Sequence, residues 1–142
     1  MSLSPLKTPN CRWIDVRGAA DERGRLNFLE AGKDLPFQPR RLFWLHHIAP
    51  GQWRGRHGHR ESELLFVALH GGCRVQLDDG RSREAVMLDD PARALYLGTW
   101  VWHELTDFTA GAAILVIAST LYDDGEYLRD YEAFRREAAT RS

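Results

Sequence analysis

The sequence predicts an all-β sandwich or barrel closed by one short C-terminal helix, and three observations predict it. Short apolar runs rich in Val, Ile, Leu and aromatic residues recur along the chain. Gly, Pro or Asp turn signals end nearly every run, as expected of many short strands in sequence. Helical spacing of apolar residues appears only in the tail.

In chain order, residues 13–16 form a first candidate strand, and the turn at Asp21-Glu22-Arg23-Gly24 leads to a second at 25–30. Pro36 and Pro39 punctuate before a strand at 41–45, and Pro50-Gly51 breaks the chain again before a histidine-bearing strand around 54–59. The run 64–69 ends at His70-Gly71-Gly72. Residues 74–77 then alternate up to Asp78-Asp79-Gly80, a strong hairpin signal, so that 82–88 pairs back. Asp89-Asp90-Pro91 turns into 94–97, Gly98 stops that strand, residues 100–103 carry a further histidine, and 112–118 is a continuous apolar strand. Tyr127, Leu128, Tyr131 and Phe134 fall at helical spacing, which predicts a helix over 123–136 lying on the sheet. Residues 1–12 read as a flexible N-terminal stretch, and 1–142 as a single domain, since 142 residues suffice for a core without staples.

Composition excludes several classes. Two cysteines, Cys11 and Cys73, with no Cys-x-x-Cys, point to a reducing cytoplasm. No apolar run approaches the ~20 residues of a spanning helix, and Met1-Ser2-Leu3-Ser4-Pro5 lacks the features of a signal peptide, so no membrane partner is expected. A net charge of -1 argues against nucleic acid. Yet only Lys7 and Lys33 among the 19 basic residues are not arginine, and Arg40, Arg41, Arg54, Arg56 and Arg60 lie near the histidines, where guanidinium forks suit phosphate oxygens.

Residues at i and i+2 on a strand share a face, so His57 and His59 converge on one small volume. His103 joins them if the sheet closes on itself. The spacing Gly51, five residues, His57-x-His59, three residues, Glu63, then Gly71, nearly reproduces the first signature of the cupin superfamily, with His103 at the histidine of the second. Further blocks extend the match: Arg23-Gly24, Pro36-Phe37, Arg41, Arg54-Gly55-x-His57-x-His59, Leu77-Asp78-Asp79-Gly80, Leu95-Tyr96, Trp102-His103-Glu104 and Tyr127-x-Arg129-x-Tyr131. Over roughly residues 20–135 the chain resembles the WxcM-like, dTDP-4-keto-6-deoxyglucose 3,4-ketoisomerase family.

That resemblance implies a cupin jelly roll (double-stranded β-helix), a homodimer, a dTDP-sugar partner and no metal or other cofactor. The reaction moves a ketone from C4 to C3 of a nucleotide-linked deoxysugar, feeding amino sugars of surface polysaccharides or antibiotics. Histidine, with a reference pKa near about 6.5, suits both proton steps. His57 and His59 match the family's active-site histidines, with His59 as the proton carrier and His57 as partner or enolate stabiliser. Arg41 and Arg54 would anchor the diphosphate or enolate charge; Tyr96 and Trp102 would wall the pocket, with Glu63 and His103 beside them. For Tyr127 and Tyr131 packing is the default, and His46, His47 and His70 read as surface or edge residues.

Two departures from the family's pattern keep rivals open. Phe43 and Trp44 stand where relatives usually carry tyrosines, which admits a non-catalytic nucleotide-sugar-binding protein. Glu63 replaces the common Gln, so His57, His59, His103 and Glu63 form a three-histidine, one-carboxylate set of the kind that binds Fe, Mn, Ni or Zn in oxygenase-like cupins. A carboxylate beside histidines would equally orient them and raise their pKa.

Overall fold

Alternation along each strand decides the architecture of the computed structural model, which describes residues 5–141. In chain order the strands are β1 (Cys11–Asp15), β2 (Arg17–Asp21), β3 (Gly24–Phe28), β4 (Arg41–His46), β5 (Arg54–His59), β6 (Leu64–His70), β7 (Cys73–Asp78), β8 (Arg83–Leu88), β9 (Arg93–Leu97), β10 (Trp102–Thr106), β11 (Ala113–Ala118) and β12 (Tyr127–Leu128), followed by α1 (Tyr131–Ala139). One antiparallel sheet runs β1-β9-β6-β11-β4, the other β12-β5-β10-β7-β8, and β2-β3 is a separate hairpin. The two large sheets form the jelly-roll sandwich.

Leu64, Phe66 and Ala68 of β6 face Val75 and Leu77 of β7 in the main core, which also holds Leu95, Leu105, Ile114 and Val116. The opposite face of β6, through Leu65 and Val67, is covered by Val16, Ala94 and the chain around Leu35 and Phe37. With both faces covered, β6 reads as a continuous apolar run. A third cluster, Trp102, Leu128 and Phe134, seats α1 on the outside of the second sheet.

Two expectations need correction, and one strand, β2, was not anticipated. The helix occupies Tyr131–Ala139 rather than 123–136, because Asp123 first caps a single 3-10 turn at Asp124–Glu126 and Tyr127–Leu128 then extends to pair with β5. Asp130 starts the helix by accepting from the Ala133 amide, the usual service of an aspartate at this position. Residues 1–4 lie outside the described residues. The rest of the expected flexible N-terminus is anchored: Leu6 packs on the core, the buried Thr8 donates its amide and hydroxyl to the Glu84 carboxylate, and β1 begins at Cys11. The strand at Arg17–Asp21 has a Gly-Ala-Ala centre without β-propensity; it exists because it pairs with β3 residue for residue.

Candidate functional site

The site is built on β5, and a β-bulge gives that strand its unusual face. Opposite β10, His57 pairs with His103, then Gly55 with Glu104 and Arg54 with Leu105, so Arg56 is an extra residue. Gly55 (φ 87°) and Arg56 (φ 63°) both take the left-handed backbone this requires. A Cβ on Gly55 would lie 2.9 Å from the His103 carbonyl oxygen. Without the bulge Arg54 would project away from His57; with it, Arg54, His57 and His59 line the same cavity.

That cavity, about 160 Å³, sits inside the sandwich. Phe43, Leu45, Leu64, Phe66 and Leu105 form its apolar wall, and Arg54, His57, His59, His103 and Tyr127 its polar end. The His57 ring lies 4.9 Å from His59 and 4.8 Å from His103, edge to face in both cases. Ligating atoms of all three histidines fall within 4.8 Å of one another. Burial holds His57 down at about 4, with the neighbouring His59 and Arg129 adding to the effect. Burial also keeps His103 well below its ordinary value, and His59 below its own despite the hydrogen bond it donates to Glu126, which opposes the shift. All three are therefore neutral rings at neutral pH.

The tail completes the site. Pairing of Tyr127 with His59 and Leu128 with Gly58 docks β12 on the free edge of β5. Gly58 allows it: a Cβ there would meet the Phe134 ring at 2.9 Å, so only glycine lets α1 close against this edge. The Tyr127 ring then stands 4.9 Å from His57 and 4.5 Å from His59. Arg41 reaches from β4 to the Tyr127 hydroxyl at 3.5 Å, lies over the Phe43 and Tyr122 rings, and has a buried Nε without a partner. Arg129 lies over the outer side of Tyr127 and pairs with Asp124 at 2.8 Å. Glu126 is buried, 4 % exposed, with Oε1 2.7 Å from His59 Nδ1.

Of the residues singled out in the sequence, the structure brings together His57, His59, His103, Arg54 and Arg41, and leaves three elsewhere. Glu63 turns to the outer side of the first sheet, where its carboxylate accepts from the Tyr96 hydroxyl at 2.5 Å. It does not join the histidines, so the three-histidine, one-carboxylate set does not form. Tyr96, packed with the outer cluster and under Arg12, is outside the cavity as well. Trp102, a strand neighbour of the inward His103, points outward beneath α1 and donates to Glu104 at 3.3 Å. Tyr127 corrects the reading in the other direction, since it lines the cavity rather than packing in a helix. Glu126 was missed altogether. Its partner is 67 residues away, and no spacing rule links them.

A much larger groove, about 810 Å³, lies on the far side of the first sheet beneath the β2-β3 hairpin. It contains no histidine, and apart from Arg25 and Asp90 no charged side chain lines it, whereas the clustered histidines line the smaller cavity.

A family model described as FdtA, WxcM-like, C-terminal matches residues 9–139. The TDP-4-oxo-6-deoxy-alpha-D-glucose-3,4-oxoisomerase of Aneurinibacillus thermoaerophilus is 38% identical over 126 residues, covering 89% of this chain and 91% of that protein. Among solved structures, a mutant of the 3,4-ketoisomerase QdtA from Thermoanaerobacterium thermosaccharolyticum in complex with TDP-4-keto-6-deoxyglucose superposes with a TM-score of 0.92 at 31% identity, covering 94% of this chain and 97% of that one. The WlaRB TDP-quinovose 3,4-ketoisomerase from Campylobacter jejuni gives 0.87 at 36% identity, covering 91% and 99%.

Proposed function

The chain belongs to the WxcM-like family, and from that premise we infer that it is an isomerase that moves the ketone of a TDP-linked 4-keto-6-deoxysugar from C4 to C3. One observation carries the reading at the level of chemistry. His59 lines the cavity with Nε2 buried and without a protein partner, while its other nitrogen is held by a carboxylate.

The reaction needs two proton movements and no external oxidant. Removing the C3 proton sends that bond's electrons into a C3–C4 double bond and the C4 carbonyl pair onto O4, which takes a proton. Loss of the O3 proton then forms the C3 carbonyl, and the double-bond pair takes a proton at C4. His59, neutral with a bare nitrogen, is suited to carry the proton between the two carbons. His57, 4.9 Å away between the rings, is placed to serve the oxygens. Arg54 in the cavity wall and Arg41 beside Tyr127 supply fixed positive charge for the enolate and the diphosphate.

The geometry favours neither rival. With Glu63 bonded to Tyr96 the proposed fourth metal ligand is lost. Trp44 faces out of the sandwich, 62% exposed, so a tyrosine there would not reach the cavity, and Tyr127 supplies a phenol close to Phe43. Incubation with TDP-4-keto-6-deoxyglucose in deuterium oxide tests the reading: deuterium should appear at C3 with the unaltered protein and be absent with His59→Asn. Binding of TDP without exchange in the unaltered protein would leave only a binding function.

The same reading makes the chain a homodimer of the reducing cytoplasm that supplies keto sugars for amino-sugar and polysaccharide assembly. Two free thiols, one buried and one half-buried, support the compartment. No helix among the described residues is long and apolar enough to cross a membrane. The dimer is supported by an outer face that leaves Leu26, Leu42, Trp44, Leu69 and Phe28 between 38% and 63% exposed.

A further inference from the structure

We propose that Glu126 is a positioning residue that fixes the tautomer of His59, so that Nδ1 carries the hydrogen and Nε2 meets the sugar as the base. The proposal rests on the isomerase reading and assigns work to a residue outside the histidine motif.

Every partner of the Glu126 carboxylate is a donor. Oε2 receives the backbone amides of Glu61 at 3.1 Å and Ser62 at 3.4 Å; Oε1 receives the Ser62 hydroxyl and faces His59 Nδ1 at 2.7 Å. Ser62 Oγ also touches Thr120 Oγ1, and since Ser62 spends its hydrogen on Glu126, Thr120 must donate to Ser62. The chain of bonds therefore has one direction, from Thr120 through Ser62 to the carboxylate. A carboxylate so surrounded is the charged, acceptor-only form. Hydrogen bonds from Ser62 and His59 outweigh the burial that would raise it, and the group stays below its ordinary range. Against such an oxygen an unprotonated Nδ1 would place two lone pairs face to face at 2.7 Å, so Nδ1 bears hydrogen and the neutral ring leaves Nε2 bare.

The arrangement has a catalytic consequence. When His59 takes the C3 proton it becomes an imidazolium beside a buried anion, with side chains 5% and 4% exposed. That attraction is fully developed only once the proton has moved, so it lowers the barrier without tightening ground-state binding. His57 has no such partner and is suited to hydrogen bonding rather than to carrying the proton.

Glu126→Gln keeps the shape and breaks the logic. A carboxamide must turn its NH2 toward either the two backbone amides or His59 and the Ser62 hydroxyl. The first sets donor against donor, and the second drives the hydrogen of His59 onto Nε2. Nitrogen-15 spectra of histidine-labelled protein should show His59 protonated at Nδ1 in the unaltered protein and at Nε2, or as a mixture, in Glu126→Gln. The variant should lose about 10²- to 10⁴-fold in kcat, the range for misplacing a general base, with KM changed less than about threefold. A resting Nε2–H tautomer in the unaltered protein would overturn the proposal, even if the variant fails to fold. So would a folded variant with kcat within about threefold of the parent. If the unaltered protein does not isomerise the TDP-sugar, the isomerase reading falls while the spectrum still decides the tautomer.

Discussion

Tyr127 stands at the residue scale as the phenol nearest both His57 and His59, at 4.9 Å and 4.5 Å between rings, with its hydroxyl beside Arg41. Removing only the hydroxyl in Tyr127→Phe should therefore lower kcat by about 10- to 100-fold, on the scale of one assisting proton-transfer group. Affinity for TDP, read by calorimetry, should hold within a few-fold; an unchanged kcat would remove the phenol from the reaction. Glu63 provides the converse case. Because its carboxylate is turned to Tyr96, Glu63→Gln should leave kcat within about threefold of the parent, since the carboxamide oxygen can still accept from that hydroxyl and the bond is remote from the histidines. A collapse of activity in that variant would restore Glu63 to the site.

Among the elements, β5 shows what a strand must surrender to hold this chemistry. A Cβ on Gly58 would meet the Phe134 ring at 2.9 Å, so Gly58→Ala should push α1 off the sheet and destabilise the fold by about 1–3 kcal/mol, as overpacking does. Phe134→Ala, a deletion at a fully buried position, should cost about 3–5 kcal/mol; chemical denaturation would measure both. These packing partners were not readable in the sequence, although the histidine pair was. Period-two alternation alone places His57 with His59, and equally excludes Trp102 from the face of His103 and Tyr96 from that of Leu95 and Leu97. Arg54 is different: it stands three residues from His57, and only the bulge at Gly55-Arg56 returns it to the same side. The helical spacing of Tyr127, Leu128, Tyr131 and Phe134 misled because two of those residues form an edge strand before Asp130 caps the helix. Pairing with a distant strand overrode a local period, and Glu126 was hidden with it.

For the molecule as a whole, the buried histidines tie stability to pH. The unfolded chain binds protons at histidine below about pH 6.5, whereas the folded His57 refuses them until about 4. Stability is therefore lost progressively as pH falls through that interval, and the lowered Glu126 adds a further loss below the ordinary carboxylate range. Thermal melts should drop by several degrees between about pH 7 and about pH 5, and the drop should shrink in His57→Asn. At the same scale, the proposed dimer predicts a parent mass of two chains by light scattering and monomers for Trp44→Glu on the exposed outer face; a dimeric mass kept by the variant would relocate the interface, and a monomeric parent would remove it. The two-residue pairing of β12 with β5 carries a last implication. The carboxylate and phenol beside His59 enter on a tail joined to the barrel through the exposed Leu121 and Tyr122. A single proteolytic nick at that link would free the tail to drift, baring the Trp102 side of the second sheet and stripping the cavity of its phenol and carboxylate in one event, so assays of folding and of function would fail together.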